Sequence, residues 1–309
     1  MSNVIEIIKT VLPVILILFI GMLCRRFKIL SAEGISALKS TVVNITLPAV
    51  VLGAFARMEY TLDNVLVTVL IYILCIVALF LGKLIGVVFK GDKKFLSFIT
   101  TGFEAGMIGY ALFTMLYGAD RISEFASVDL GQVLFVFTAY KVLLDLQENN
   151  KPSLKKIAVD MVSSPIIISI AVGIIIGATG LYSALIPSGV SGVFDTCVDF
   201  ISAPTSAIIL ITIGYDLAPG EIPFKKTLGA VFSRVAVMLI CRVLAEVIIK
   251  LLGIKLNISD ALNILFILPP PFVLAVFAND KEEQAYISSS LSFSTVVAII
   301  GFIILAVIG

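Results

Sequence analysis

Ten long runs of apolar residues divide this chain, and they constrain its fold more than any other feature. A helix needs about 20 mostly apolar residues to cross the hydrocarbon core of a bilayer, and runs of this length follow one another along the chain. We predict membrane-spanning helices at residues 4–24, 33–56, 62–89, 94–117, 127–146, 154–178, 189–214, 226–252, 259–278 and 283–308. The predicted fold class is an all-α polytopic membrane protein.

Composition supports this prediction. The 309-residue chain is 60% hydrophobic and 14% charged, whereas soluble chains average about 45–50% apolar and about 25% charged residues. The few polar residues of this chain could not cover such a large apolar interior in water. We therefore expect lipid to surround much of the chain. The formal net charge of +1 gives no reason to expect a nucleic acid partner.

Several classes of chemistry are excluded or disfavoured. The chain has no histidine, which removes His-based metal sites, nucleophile systems and proton relays. Its four cysteines are scattered singly, and no G-x-x-x-x-G-K-[ST] motif for ATP occurs. We therefore expect neither an enzyme nor a cofactor, and we expect carboxylates to carry any proton chemistry.

Basic residues favour alternate loops and so predict an orientation. They cluster after the first, third, fifth and seventh spans, at Arg25, Arg26, Lys28, Lys39, Lys90, Lys93, Lys94, Lys151, Lys155, Lys156, Lys225 and Lys226. Because Lys and Arg are enriched in cytoplasmic loops, the loop at 147–153 is predicted to be cytoplasmic and both termini extracellular. The predicted location is the plasma membrane.

The two halves of the chain, 1–150 and 151–309, carry similar patterns. Pro13 and Gly21 in the first span have the same spacing as Pro165 and Gly173 in the sixth. An odd number of spans per half means that two such repeats are inverted in the membrane. In transporters with this architecture, substrates bind near the midplane at discontinuous helices.

The fourth span combines a carboxylate with glycines. Glu104 lies about ten residues into the span, among Gly102, Gly106 and Gly109. Glycines weaken a helix and allow close backbone approach, and an intramembrane carboxylate marks a functional site by default. Glu104 could bind and release a proton, or it could be a structural carboxylate paired with a basic residue of another span.

The ninth span contains Pro269, Pro270 and Pro271 in succession. Three prolines remove three backbone donors and cannot continue a helix. Broken helix ends inside a membrane are tolerated only where protein or a water-filled cavity covers them. The sequence predicts a functional break here, with a plain kink or an interfacial turn as the alternative.

Other candidates lie in the second, seventh and eighth spans. Asn44 and Pro48 could form a second polar break or a local repair of a kink. Asp195 and Asp199, one helical turn apart, could couple a cation or proton or lie in water near the outer mouth. Arg234 could pair with the carboxylate of the fourth span or with an anionic substrate.

These features resemble the auxin efflux carrier family, in its PIN-like group. The resemblance is carried by Pro13 and Gly21 before Arg25-Arg26, Ser31-Ala32-Glu33, Asn44-x-x-Leu47-Pro48-Ala49, the glycine-rich fourth span, and the proline-rich ninth span before Asp280-Lys281-Glu282-Glu283. The resemblance implies two inverted five-helix repeats whose fourth and ninth helices break and cross near the membrane centre. It places the crossovers at about Glu104–Gly109 and Leu268–Phe272, and it implies organic anions as substrates: auxin in plants, malate and related carboxylates in bacteria.

The chain departs from the family pattern at the fourth helix. Aligned on Gly106 and Gly109, it has Glu104 where the family usually has asparagine, and Ala111 where the family has proline. A carboxylate at the crossover repels a carboxylate substrate unless it is protonated or compensated. Glu104 therefore couples a proton, or the substrate is neutral or cationic.

Together with the resemblance, these features predict a secondary active transporter of a small organic anion, carboxylate or auxin-like, working by an elevator-like or rocking form of alternating access, with proton coupling through Glu104 left open. A carrier of a neutral or cationic solute, with Glu104 as its counter-charge, is the alternative; a channel and a sensor are the other classes. The expected partners are a small-molecule substrate and the lipid bilayer, with a homodimer left open. The predicted crossover and substrate residues are Asn44, Pro48, Glu104, Gly106, Gly109, Pro269, Pro270 and Pro271.

Overall fold

A computed structural model describes residues 2–88, 94–147, 159, 162–216, 224–277 and 281–308. Every regular element in these ranges is helical. The α-helices are α1 Ser2–Arg26, α2 Ala32–Thr41, α3 Leu47–Arg57, α4 Leu62–Val88, α5 Leu96–Ile99, α6 Tyr110–Tyr117, α7 Ile122–Phe135, α8 Lys141–Gln147, α9 Pro165–Ala178, α10 Leu181–Leu185, α11 Val190–Ser202, α12 Thr205–Asp216, α13 Phe224–Leu252, α14 Ser259–Ile267 and α15 Lys281–Ile308. Wider π turns occur at Val42–Thr46, Ala105–Gly109 and Val136–Tyr140, and 3-10 turns at Ala119–Arg121 and Phe272–Phe277.

The described helices have the length and composition of a multi-pass membrane protein. Five helical stretches could each cross a membrane: Ala32–Arg57, Leu62–Val87, Ala119–Leu144, Val190–Asp216 and Lys281–Ile308. Shorter apolar stretches lie at Ala105–Tyr117, Pro165–Ala178 and Ser259–Ala275, and the last of them contains the break after Ile267. The all-helical fold class is therefore confirmed, while the ten spans and the inverted repeat stay predictions. The predicted loop at 147–153 lies, beyond Gln147, outside the described residues.

Many large side chains of the long helices point away from the protein. Phe80 of α4 is 64% exposed, and Phe232 and Leu251 of α13 are 70% and 79% exposed. Hydrocarbon tails are as apolar as such side chains. This outward apolar surface is therefore compatible with lipid and explains the low polar content of the chain.

Proline explains the interruption in the second predicted span. Pro48 has no N–H to donate to the carbonyl of Asn44, and its ring would clash there in a regular helix. The chain responds with the π turn at Val42–Thr46, after which α3 begins at Leu47 with Pro48 in its first turn. A wider turn of this kind removes the clash without ending the helix.

The chain forms two compact units. Unit 1 comprises Met1–Thr61, Gly106–Ala126 and Ala158–Ala218, and unit 2 comprises Leu62–Ala105, Ser127–Ile157 and Pro219–Gly309. Each unit takes segments from both predicted repeats. The repeats at 1–150 and 151–309 stay predictions about sequence, whereas the units describe packing.

Unit 1 contains two close helix pairs that meet at glycines. Helix α1 packs on α12, where a Cβ on Gly214 would overlap the backbone carbonyl of Leu18. Helix α9 packs on α3, where a Cβ on Gly173 would lie 2.7 Å from Cβ of Phe55. Small residues that let backbones approach closely are a main source of helix association in membranes. These two glycine contacts therefore fix the packing inside unit 1.

Unit 2 packs helices α4, α5, α13, α14 and α15 against one another. The hydroxyl of Tyr140 donates a hydrogen bond of 3.1 Å to the carbonyl of Phe98, and the two rings meet edge to face. This contact holds α5, a helix of one turn, against the segment that precedes α8. Unit 2 also contains the interrupted segments of both the fourth and the ninth predicted spans.

Candidate functional site

The two interrupted segments lie side by side in unit 2. The first is the non-helical stretch between the end of α5 at Ile99 and the π turn that begins at Ala105. The second lies between the end of α14 at Ile267 and the 3-10 turn that begins at Phe272. The backbone N–H of Glu104 donates to the carbonyl of Pro269 over 2.9 Å, so the two interruptions are joined directly. We call this region the junction.

Glycine and proline explain why both helices stop here. Gly102 has φ +68°, a conformation that side chains with a Cβ rarely adopt, and a Cβ there would lie 2.8 Å from Cγ of Pro271. Pro269, Pro270 and Pro271 are buried and lack the N–H groups that a continuous helix would use. The first interruption precedes Gly106 and Gly109, which lie within the π turn rather than in the break itself.

Glu104 connects the first interruption to the second through its side chain as well. Its Oε2 accepts a hydrogen bond of 2.6 Å from the backbone N–H of Phe272, and the side chain is half-buried. In a continuous helix that N–H would bond to the carbonyl of Leu268. The carboxylate therefore satisfies a backbone donor that the break has released.

Arg234 satisfies the backbone acceptors of the same break. This α13 residue is 3% exposed. Its Nε and Nη2 donate to the carbonyl of Leu268 at 3.1 and 2.7 Å, its Nη1 to that of Ile99 at 2.7 Å, and its Nη2 to that of Gly102 at 2.8 Å. The guanidinium carbon also lies 5.8 Å from the ring centre of Phe103. The sequence suggested Glu104 or an anionic substrate as partners of Arg234, and it did not indicate these main-chain oxygens; a pairing with either of the suggested partners stays a prediction.

Glu104 and Arg234 together replace one helical hydrogen bond. The carbonyl of Leu268 and the N–H of Phe272 would bond to each other in an unbroken helix. At the junction Arg234 binds the first and Glu104 binds the second. Charge-assisted hydrogen bonds are about twice as strong as neutral ones. The opened bond is thus held by two charges of opposite sign.

The two aspartates of the seventh predicted span lie in unit 1. Arg57 donates from Nε to Asp195 at 2.9 Å and from Nη2 to Asp199 at 3.1 Å. Tyr182 donates to Asp195 at 2.9 Å, and burial together with this bond raises the pKa of Tyr182, so the hydroxyl keeps its proton at neutral pH. The side chain of Asp199 is 67% exposed. An ion-coupling role for Asp195 and Asp199 stays a prediction.

Asn44 and Pro48 also lie in unit 1. The Asn44 amide donates to the carbonyl of Ser40 at 2.8 Å, one turn back along its own helix, while Pro48 is buried. Close by in the sequence, the Thr46 hydroxyl is buried and has no hydrogen-bond partner within the described part of the chain. The Asn44 amide is therefore bound within its own helical segment in this structure, and a substrate role for it stays a prediction.

A cavity of about 390 Å³ adjoins the junction within unit 2. Helices α13, α14 and α15 form its walls, which are mostly apolar, and its polar side chains are Arg234, Arg242, Asn263 and Ser294. Its volume lies in the range of small-molecule sites. No group of three or more Asp, Glu, Cys or His residues that could hold a metal occurs in the ranges that the structure describes.

Comparisons with known proteins give a consistent result. A family model described as "Membrane transport protein" matches residues 6–306. A protein of Methanocaldococcus jannaschii described as an uncharacterized transporter is 23% identical, with 96% of this chain and 98% of that protein covered. A second uncharacterized transporter, from Methanothermobacter thermautotrophicus, is 24% identical, with 68% of this chain and 67% of that protein covered.

Proposed function

The chain belongs to the membrane transport protein family, the family of the auxin efflux carriers, and from this premise we propose that it is a proton-coupled secondary transporter of a small organic anion. The observation that carries the proposal is the hydrogen bond between the Glu104 carboxylate and the N–H of Phe272. The junction holds the N–H of Phe272 in place, and a carboxylate of the protein, that of Glu104, already binds it.

A substrate carboxylate can compete with Glu104 for that donor. Protonation removes the negative charge of Glu104 and weakens its hydrogen bond to the N–H, since ionised acceptors bind more strongly than neutral ones. An incoming carboxylate can then take the same donor. Because one ionised carboxylate is bound to the N–H of Phe272 before and after the exchange, binding of that carboxylate and uptake of the proton compensate each other electrostatically. This coupling explains why a carboxylate is tolerated where the family usually has asparagine.

Alternating access needs bodies that keep their internal packing while access changes. The division of the chain into two compact units supports such a mechanism. The glycine contacts within unit 1 support the inverted repeat, because the first span packs on the seventh at Gly21 and Gly214, while the sixth packs on the second at Gly173. Such a reciprocal pattern is expected of two repeats related by a two-fold axis in the membrane plane. We propose ten spans, with both termini outside a plasma membrane.

A carrier of a neutral or cationic solute is the second candidate, and the same hydrogen bond supports it. If Glu104 stays ionised through the cycle, it repels anions and attracts cations at the junction. The two candidates differ in what Glu104→Gln does, because glutamine keeps an acceptor for the N–H of Phe272 but cannot ionise.

The first experiment identifies the charge class of the substrate. Purified protein is heated with malate, indole-3-acetate, neutral amino acids and amines at two pH values, and the unfolding temperature is followed, since a ligand that binds the native state raises it. The proposal predicts stabilisation by a carboxylate that is stronger at the lower pH. Stabilisation by amines alone would support the cation carrier instead.

The second experiment measures uptake of the stabilising solute into proteoliposomes with and without a pH gradient. Glu104→Gln is expected to abolish gradient-driven accumulation while leaving exchange of solute across the membrane. The matched control is Glu246→Gln, because Glu246 lies in the same unit but pairs with the side chains of Arg242 and Lys250. Loss of both accumulation and exchange in Glu104→Gln would indicate a counter-charge role, and unchanged transport would refute both roles.

Counterflow separates a carrier from the remaining classes. Vesicles loaded with unlabelled solute should transiently accumulate labelled solute if the protein works by alternating access. Flux that neither saturates nor shows counterflow would indicate a channel. Stoichiometric binding without any uptake would indicate a sensor.

A further inference from the structure

Arg234 is a cation whose hydrogen bonds, within the described part of the chain, all go to main-chain carbonyl oxygens. Those oxygens belong to Ile99 and Gly102 of the first interruption and to Leu268 of the second. They are available because the helices stop there, and the prolines after Leu268 bring no N–H groups. The side chain is 3% exposed, so its charge is compensated by protein groups rather than by water, and the groups that bind the guanidinium by hydrogen bonds are carbonyl dipoles.

A cluster of released carbonyl oxygens at broken helices is a binding site for a cation. Transporters with discontinuous helices use unwound carbonyls and helix ends to hold Na⁺, and rings of carbonyls replace the hydration shell of ions in channels. At this junction the charge is supplied by a side chain. A guanidinium is always protonated and offers five donors in a fixed plane, so it can bridge several carbonyls at once.

We propose that Arg234 is a built-in cation that occupies a carbonyl site for a monovalent cation and so holds the two interrupted segments together without sodium. The tethered charge cannot leave during a transport cycle, so this site does not couple transport to a sodium gradient. The proposal does not depend on which solute the protein carries. It assigns Arg234 a positioning role, since it acts through the backbone that presents the N–H of Phe272 to Glu104.

The test is chemical rescue. Arg234→Ala, wild type and the control Arg242→Ala are purified, and the temperature at which each loses its monodisperse gel-filtration peak is measured in choline, sodium and guanidinium chloride at equal millimolar concentration. Arg242 suits the comparison because it lies on the same helix but donates to the side chains of Asn263, Glu246 and Ser259. Truncating either arginine removes the same atoms.

In choline chloride, Arg234→Ala is expected to unfold at least about 5 °C below wild type, because the variant loses a buried charge together with its hydrogen bonds. Guanidinium should restore at least half of this shift and sodium a smaller part, because both can enter the vacated carbonyl site. The unfolding temperature of wild type should be the same in all three salts, and so should that of Arg242→Ala. An unchanged unfolding temperature for Arg234→Ala, or a lowered one that neither cation raises, would overturn the proposal.

A second pair of variants decides the matter if Arg234→Ala does not fold. Arg234→Lys keeps the charge, and Arg234→Met keeps much of the volume without it. The proposal predicts that the lysine variant folds and retains part of the transport, whereas the methionine variant gives no folded protein in choline chloride. Equal yields of folded protein for the two would show that the charge is not what holds the junction, and sodium-dependent transport by wild type would contradict the proposal directly.

Discussion

Two arginines of this chain, Arg57 in unit 1 and Arg234 in unit 2, use the same guanidinium group in different ways. Arg57 is 26% exposed and donates to the carboxylates of Asp195 and Asp199. Arg234 is 3% exposed and donates to carbonyls of the main chain. In unit 1 a charge thus joins side chains where solvent reaches them. In unit 2 a charge completes the hydrogen bonding of an interrupted backbone.

This difference predicts where substitutions are most harmful in each unit. An ion pair that solvent reaches contributes less than a fully buried one, because water partly replaces the partner that is removed. A buried backbone group that loses its partner has no such substitute. We therefore expect unit 1 to depend on its glycine packing rather than on its ion pairs, and unit 2 to depend on the charges and special backbone of the junction.

Within unit 1, the largest effect on stability is expected from Gly214→Ala. A Cβ at this position would overlap the carbonyl of Leu18 in the facing helix, so α1 and α12 must move apart. Overpacking of this severity costs about 3 kcal/mol of unfolding free energy, measured by denaturant titration in mixed micelles. Gly192→Ala is the control, since nothing lies within 4 Å of a Cβ there. Equal stability of the two variants would refute the glycine contact.

A loss of about 2 kcal/mol is expected for Glu104→Ala, since it leaves the N–H of Phe272 without its charged acceptor. Glu104→Gln should lose much less, because the amide oxygen can still accept. The same titration checks both. If alanine and glutamine destabilise the protein equally, the hydrogen bond to the backbone is not what Glu104 contributes.

Gly102→Ala should destabilise the junction by roughly 1–2 kcal/mol, because residue 102 has a positive φ and its Cβ would press on the Pro271 ring. The initial rate of transport should fall even where the loss of stability is small. The reason is that Arg234 binds the carbonyl of Gly102, so a shift of this backbone alters the junction. Parallel measurements of unfolding and of initial uptake rate test this. Gly229→Ala, with open space around its Cβ, is the control. A variant that unfolds and transports like wild type would show that the backbone at Gly102 is not constrained.

The smallest effect is expected from Arg57→Ala, at less than about 1 kcal/mol. The variant leaves Asp195 with its hydrogen bond from Tyr182, and Asp199 is largely exposed. Raising the salt concentration should further reduce the difference in unfolding free energy between wild type and Arg57→Ala, because charges that solvent reaches are screened. A loss as large as that of Glu104→Ala would remove the contrast between the two units.

Some of this arrangement was predictable from the sequence and some was not. The prolines at 269–271 and the glycines of the fourth span indicated two broken helices, because both residue types act locally on the backbone. The first break lies between Ile99 and Ala105, ahead of most of the stretch Glu104–Gly109 that the resemblance implied, and it contains Gly102 with its positive φ.

The sequence did not predict which residues that are distant along the chain bind each other. Arg57 and Asp195 are 138 positions apart, and Glu104 and Phe272 are 168 apart. Backbone carbonyls and N–H groups are identical at every non-proline position, so no residue type reveals which of them Arg234 or Glu104 will bind. The available signal was that Arg234, unlike Arg242, has no acidic residue one turn away on its own helix, and this suggested a side-chain or substrate partner rather than main-chain oxygens.

The most direct test of the central claim is the pH dependence of anion binding to wild type and to Glu104→Gln. The dissociation constant of the stabilising carboxylate, malate or indole-3-acetate, is measured by titration across neutral pH. If the anion and the Glu104 carboxylate compete for the N–H of Phe272, wild type takes up a proton on binding, and its affinity falls about tenfold for each unit of rising pH once Glu104 is ionised. The glutamine variant should bind with an affinity that does not change with pH. The same slope in both proteins would contradict the claim.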